Sequence, residues 1–172
     1  MKYKLVILFS VIFLVACNQS IDYEKDEVVA VLMGEEILFE DVLKQYPIRT
    51  DYVDIFLREE VIVQEAKETG IVVTEEEVEE LKEPFYNAIQ DVDMENFYER
   101  QGEELGITPE EYFELWSETY LTRDTYIQRY IHSVFELPDE DEEEEWEKEV
   151  QQHMADLFFE YQENGDLVIS DY

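Results

Sequence analysis

The sequence predicts a mainly α fold carrying a small β-sheet formed by an N-terminal hairpin and a C-terminal strand. The composition has five Gly and four Pro among 172 residues, with long stretches rich in strong helix formers, Glu above all, which favours helix over a many-stranded barrel or sandwich. Helix-start signals recur through the middle of the chain, whereas short β-rich runs lie near its two ends. With 45% hydrophobic and 14% aromatic residues, the chain holds too much apolar material for a disordered acidic segment, and its length is that of one domain.

Met1-Lys2-Tyr3-Lys4 is a short basic start, followed by the apolar run 5–16, Cys17 and the polar Asn18-Gln19-Ser20. That is the layout of a signal peptide, and its apolar run falls short of the ~20 residues that span a bilayer as a helix. Leu14-Val15-Ala16-Cys17 resembles a bacterial lipobox, whose Cys is acylated and becomes the first residue of the mature protein. An ordinary secretory signal with an incidental Cys is the less favoured alternative. Residues 1–16 are accordingly expected to be a lipoprotein signal peptide, 17–27 an acylated Cys with a flexible tether, and 28–172 one helical domain. The expected location is the extracytoplasmic face of the cell membrane, reached through a lipid anchor on Cys17. This is the one cysteine of the chain, so no disulfide and no thiolate site is expected.

Residues 28–33 are β-rich, Gly34-Glu35 follows, and Glu36-Ile37-Leu38 resumes the apolar alternation, which predicts a hairpin turning at Gly34. A two-stranded hairpin is marginal in water, and Leu167-Val168-Ile169, just past the helix stop Asn164-Gly165, is the candidate third strand. The apolar stretch 51–69 predicts a helix ended by Gly70. Thr74-Glu75-Glu76-Glu77 is a capping box with Val73 and Val78 as its staple, so a helix starts there, and Pro84 is expected to kink or split it. Gly102 and Gly106 read as a loop region. Thr108-Pro109-Glu110-Glu111 repeats the start signal with Pro at the first helical position, opening a long helix through Tyr112, Trp116, Arg123, Tyr126 and Tyr130. Pro138 is expected to open a last helix. Its first turns would hold the acidic run 139–145, where the helix dipole stabilises anions, and Trp146, Val150, Met154, Leu157, Phe158 and Tyr161 would form its buried stripe.

There are 46 acidic residues against 12 basic ones, a formal charge of −34, and no basic patch after residue 4, which argues against nucleic-acid binding. His132 and His153 lack a Cys neighbour or a Glu-x-x-His spacing and read as packed or half-exposed side chains. No Gly-x-Ser-x-Gly elbow and no phosphate-binding glycine loop occurs, so no catalytic residue, cofactor or metal site is assigned. The run 139–145 could gather Ca²⁺ loosely, but it lacks the Gly of an EF-hand loop, and a solvated helix start is the preferred reading. The aromatic residues are the more informative group. Tyr112, Phe113, Trp116, Tyr120, Tyr126 and Tyr130 fall on more than one face of the long helix, and those left exposed would form a binding surface. Of these, Trp116 is expected to lie nearer the core than Tyr112.

The segment 29–78 resembles the N-terminal domain of the SurA and PrsA group of extracytoplasmic foldases. The resemblance is carried by Met33-Gly34-Glu35-Glu36-Ile37, by Gln64-Glu65-Ala66-Lys67, by Gly70-Ile71 and by Thr74-Glu75-Glu76-Glu77-Val78. It continues through Glu95-Asn96-Phe97 and through Leu105-Gly106-Ile107-Thr108-Pro109-Glu110-Glu111-Tyr112-Phe113. Two departures stand out: Leu38 replaces a helix-capping Thr, and the parvulin-type prolyl isomerase module that follows the long helix in those foldases has no counterpart here. The resemblance implies a lipid-anchored, non-catalytic, chaperone-like protein whose partners are unfolded or extended segments of secreted polypeptides. It also implies that the C-terminal segment returns to the N-terminal hairpin. A rival expectation is an envelope scaffold lipoprotein that binds one specific, basic partner through its acidic surface.

Overall fold

The computed structural model describes residues 22–89, 94–139 and 142–171. The expected lipobox residues Leu14, Val15 and Ala16, and Cys17 itself, lie outside the described residues.

Strands β1 (Val28–Leu32) and β2 (Glu35–Leu38) form an antiparallel hairpin with Met33-Gly34 as its two-residue turn. Both turn residues have positive φ, 52° and 88°, as a type I′ turn requires, so the right-handed twist of the strands carries through the reversal. Strand β3 (Leu167–Ile169) lies antiparallel on the other edge of β1, with Ala30 opposite Ile169 and Leu32 opposite Leu167, and the sheet order is β2-β1-β3. The C-terminal run thus supplies the expected third strand. Backbone hydrogen bonds from Met33 N–H to Asp166 O (2.7 Å) and from Ser170 N–H to Val29 O (2.8 Å) fix its two ends.

Helix α1 (Phe39–Leu43) leaves the sheet directly. Leu38 offers no capping side chain, and the Glu27 and Lys25 carbonyls take that role by accepting the Phe39 and Glu40 N–H groups at 3.1 and 2.9 Å, while Asp41 accepts the Leu38 N–H at 3.0 Å and meets Lys44 at 2.7 Å. Helix α2 (Thr50–Glu68) buries Val53, Phe56, Leu57, Val61, Ile62, Val63 and Ala66, and Gly70 follows it with φ 86°. Helix α3 (Glu75–Ile89) starts at the expected capping box: Glu77 accepts the Thr74 N–H at 2.9 Å, and Thr74 Oγ1 accepts the Glu77 N–H at 3.3 Å.

Of the expected kink or split at Pro84, the split does not occur, and α3 runs unbroken through it. Glu80 and Pro84 are both exposed, so water can meet the Glu80 carbonyl that has lost its N–H donor. The expected loop around Gly102 is also corrected, because Gly102 lies inside helix α4 (Glu95–Leu105). A Cβ there would stand 3.0 Å from Ile107 O and 3.3 Å from Thr108 O, so glycine is present to let the chain fold back closely on the helix end. Gly106, at φ 80°, is the stop: Ile107 N–H returns to Gly102 O at 2.9 Å, and Gly106 N–H to Glu103 O at 3.2 Å.

Helix α5 (Pro109–Val134) begins with the second capping box, closed by Thr108 N–H on Glu111 (2.8 Å) and Glu111 N–H on Thr108 (3.2 Å). Helix α6 (Glu143–Asn164) starts five residues after Pro138, with the Glu142 N–H donating to Asp139 O at 2.9 Å just ahead of it. Of its expected stripe Val150, Leu157, Phe158 and Tyr161 are buried, whereas Trp146 and Met154 are only half-buried. No helix among the described residues is long and apolar enough to cross a membrane.

One core joins sheet and helices. Val29, Ala30, Leu32, Ile37 and Leu167 from the sheet meet Phe56, Leu57, Val61 and Ile62 of α2, Tyr130 of α5, and Leu157, Phe158 and Tyr161 of α6. The expected tether needs correction from Tyr23 onward. The Tyr23 ring packs 5.1 Å from that of Phe39, its hydroxyl donates to Glu104 at 3.1 Å, and the backbone of Lys25 and Glu27 accepts the Glu40 and Phe39 N–H groups at 2.9 and 3.1 Å. An aromatic ring with an adjacent apolar surface gains by leaving water, so this segment docks on the domain.

A chain ending at Asn164 is expected to lose cooperative stability across the whole domain, since β1 would lose one of its two ladders and Leu167 its place in the core. Chemical denaturation checks this, and an unchanged midpoint would contradict it. Met33→Asn should raise stability by about 0.5 kcal/mol or more, because Asn tolerates the left-handed region better than an unbranched apolar residue. Met33 is 47% exposed, so little packing is lost, and a lower urea midpoint for the variant would refute the turn assignment.

Candidate functional site

The connection between α1 and α2 is held from above by helices α4 and α5. Past the end of a helix its last carbonyls lack intrahelical donors, and here side chains supply them. The buried Gln101 amide donates to Tyr46 O at 3.1 Å and to Leu43 O at 3.4 Å, and the Tyr112 hydroxyl donates to Leu43 O at 3.0 Å. Gln45 closes the link in the other direction, its amide donating to Trp116 O at 3.0 Å. A rigid floor results.

Above that floor opens a cleft of about 780 Å³ between the α1–α2 connection, α4 and α5. Tyr46, Ile48, Tyr52, Phe97, Trp116 and Tyr120 form its walls, with Arg49, Arg100, Glu103 and Glu104 among its lining. Tyr46 and Tyr52 stack at 5.7 Å, and the Arg49 guanidinium sits 4.9 Å above the Tyr52 ring while pairing with Asp51 at 2.8 Å. The rings share the lining with Gln45, Arg100, Gln101, Glu103 and Glu104. Burial, and then the Glu59 carboxylate that accepts its hydroxyl at 2.9 Å, push the Tyr46 pKa well above the ordinary range, so this wall stays neutral and apolar.

Arg123 sets the spacing behind the cleft. It is 7% exposed and reaches from α5 to α2, pairing with Glu59 at 2.8 Å and with Glu60, while its guanidinium lies 4.2 Å from the Phe56 ring centroid. Burial lowers its pKa, and the charge of Glu59 opposes that shift. With two carboxylates and the Phe56 carbonyl (3.4 Å) as acceptors, the buried cation is compensated.

A layer of rings continues outward from the cleft. Phe85 and Tyr86 of α3, Phe97 and Tyr98 of α4, and Phe113, Trp116 and Tyr120 of α5 contact one another at centroid distances from 5.1 to 6.4 Å. The six residues singled out from sequence therefore separate. Trp116 and Tyr120 line the cleft, and Phe113 lies in the ring layer against Tyr86 and Tyr98. Tyr126 instead lines a second cleft of about 450 Å³ on the side of β2, with Lys67 5.6 Å from its ring.

Tyr112 and Tyr130 are corrections, because they are 0% and 4% exposed and offer no surface to a ligand. Tyr112 is committed to Leu43 O, and Tyr130 shares a hydrogen bond of 2.9 Å with His153 Nε2. The expected order of Tyr112 and Trp116 is thus reversed, with Trp116 at the surface of the cleft. Sequence reasoning missed Tyr46, Ile48 and Tyr52, although Pro47 marks a helix-free connection where an apolar cluster is unusual enough to notice. His153 is half-buried, packed against Tyr130 and Phe135. Among the described residues no group of His, Cys, Asp or Glu is gathered as a metal site, and positions 140 and 141 of the acidic run lie outside them.

Helix α3 is tied to α5 at its start by Arg129, which pairs with Glu77 at 2.6 Å and donates to Val72 O at 2.6 Å. Hydrogen bonding from Arg129 and then from the Thr74 N–H hold the Glu77 pKa down to about 2 from an ordinary 4.5. A depressed carboxyl pKa stabilises the folded arrangement fully above about pH 4.5 and loses that contribution as the pH falls through about 2. Arg129→Met should move the Glu77 titration upward but leave it below the ordinary value, since Thr74 still donates. Carboxyl NMR titration reads this directly, and an unchanged Glu77 titration would break the assignment.

No model of a known protein family, no curated protein and no solved structure matches this chain.

Proposed function

We propose that the protein is a lipid-anchored, extracytoplasmic, chaperone-like domain. It holds extended segments of unfolded secreted polypeptides in the cleft between the α1–α2 connection, α4 and α5, without prolyl isomerase activity. The observation that carries this reading is the cleft itself, a preformed space of about 780 Å³ walled by Tyr46, Ile48, Tyr52, Phe97, Trp116 and Tyr120 in a chain of net charge −34. Pockets of this size, on the order of 300–1,000 Å³, take small molecules or a few side chains. Ring faces accept apolar groups of varied shape, which suits clients that share no sequence. The surrounding negative charge keeps a loaded complex soluble. The anchor rests on the Leu14-Val15-Ala16-Cys17 lipobox, and the foldase resemblance of the hairpin, capping boxes and long helix supports the client class.

The same charge supports the rival reading, a scaffold that binds one basic partner. Salt and client charge separate the two. Reduced α-lactalbumin is a useful client because it is itself acidic, so attraction between opposite charges cannot account for its protection. The expected outcome is suppression of its aggregation by a few-fold excess of the protein, persisting near 1 M salt, where the Debye length is ~3 Å. Tyr120→Ser and Trp116→Ala should each weaken client binding about tenfold, roughly 1.4 kcal/mol, with the thermal midpoint confirming the fold. Tyr120 is 39% exposed and is the cleaner of the two. Failure to protect this client, together with salt-sensitive capture of a single basic protein from intact cells, would favour the scaffold.

A further inference from the structure

The ring layer that continues the cleft is covered by an element with little other reason to be there. Helix α3 buries one side chain, Val78, and packs mainly on α5. By contrast α2, only slightly longer, buries seven. What holds α3 is a short set of contacts. Phe85 lies 5.8 Å from the Trp116 ring and stacks on Tyr120 at 5.3 Å, and Tyr86 meets Phe113 at 5.1 Å with its hydroxyl 3.3 Å from both Glu114 and Ser117. Lys82 reaches Glu118 at 3.4 Å, and Glu77 pairs with Arg129 at 2.6 Å.

Three features make the attachment weak. Pro84 removes a backbone hydrogen bond in the middle of a 15-residue helix, a length that is marginal without tertiary support. The surface ion pairs add little in water. The polar contacts to α5 near the rings are also long, with Lys82 at 3.4 Å from Glu118 and the Tyr86 hydroxyl at 3.3 Å from Glu114. Elements with few buried apolar contacts open at a free energy below that of the whole fold.

Resting on the client-binding reading above, we propose that α3 is a displaceable internal occupant of the aromatic surface: Phe85 holds the place that an aromatic side chain of a client segment takes when α3 swings off α5. The residues covered by Phe85 are Trp116 and Tyr120, the same two that line the cleft, so displacement extends the cleft along α5 and exposes Phe113. In the unloaded protein α3 covers one side of these rings, while Tyr120 keeps 39% of its surface exposed. Client binding and α3 docking compete for one set of ring faces, and the apparent client affinity is reduced by the fraction of molecules in which α3 is closed.

Amide hydrogen exchange on the free protein tests the opening without any client. The α3 amides are expected to exchange at least about tenfold faster than those of α2 and the sheet. Phe85→Ala should accelerate α3 exchange further, and Pro84→Ala, which restores the missing hydrogen bond, should slow it. Exchange of α3 only together with α2 and the sheet would overturn the proposal. The second arm adds reduced, carboxymethylated α-lactalbumin, which stays unfolded and soluble. It should speed exchange in α3 while slowing it around Trp116 and Tyr120, and client affinity should rank Phe85→Ala above the natural chain and Pro84→Ala below it. The reverse ranking, or slowed exchange in α3 on client addition, would overturn the displacement. Absence of binding by all three proteins, including the one with α3 loosened, would overturn the client-binding reading and the covering role with it, whereas normal binding with an immobile α3 would overturn the covering role alone.

Discussion

Strand β1 uses both of its hydrogen-bonding edges, one on β2 beside it in sequence and the other on β3 at the far end of the chain. The local hairpin is marginal by itself, so the sheet exists only when the C-terminal strand arrives. Everything from α1 to α6 is therefore a loop between two strands of one sheet, and each helix is placed relative to a closure that cannot form locally. The core reflects this order. Leu32, Ile37 and Leu167 of the sheet are covered by α2 and by the buried stripe of α6, and α5 adds Tyr130 from the other side.

The cleft is a consequence of how that loop is tied. A short helix such as α1 ends with carbonyls that need donors, and Gln101 and Tyr112 supply them from α4 and α5. Buried polar groups of this kind are costly when unpaired, so the α1–α2 connection is fixed wherever α4 and α5 are fixed. Arg123 performs the corresponding service for α2 and α5. The rings of Tyr46, Tyr52 and Trp116 are thus presented by a floor whose hydrogen bonds are already satisfied, beside the charged Arg49, Arg100, Glu103 and Glu104 of the cleft lining.

What the sequence made legible was local chemistry. The Thr74 and Thr108 capping boxes, the positive-φ turn at Gly34, the stop at Asn164-Gly165 and the third strand at Leu167 each follow from a side chain or backbone requirement within a few residues. Gly102 misled because glycine usually marks a break, whereas here it permits a close backbone approach that depends on Ile107 and Thr108. Pro84 does not split α3 because its penalty is bearable on an exposed helix face. The aromatic stripe of α5 was legible as a stripe only. Helical spacing places Tyr112 and Trp116 one turn apart on one face, but their depth depends on α1 and α4, which pack over Tyr112 and leave Trp116 at the edge. The wall from Tyr46 to Tyr52 had no periodicity to read, since it lies in a connection and the first turn of α2.

The charge distribution ties these parts together. Cations are few, and the buried or interhelical positions take several of them: Arg123 on Glu59 and Glu60, Arg129 on Glu77, and Lys82 on Glu79 and Glu118, while Arg58 spends its charge over the Phe158 ring at 4.4 Å. Cations used as internal ties leave the outer carboxylates unneutralised, and the surface repels copies of itself. A protein with half-exposed rings on three helices would otherwise be prone to self-association through those rings. High like charge opposes that association at long range, whereas it does little against an uncharged apolar segment arriving at short range, where burial of ring faces dominates. The acidity that makes this fold expensive to close is therefore the same property that allows it to keep an aromatic cleft open in water.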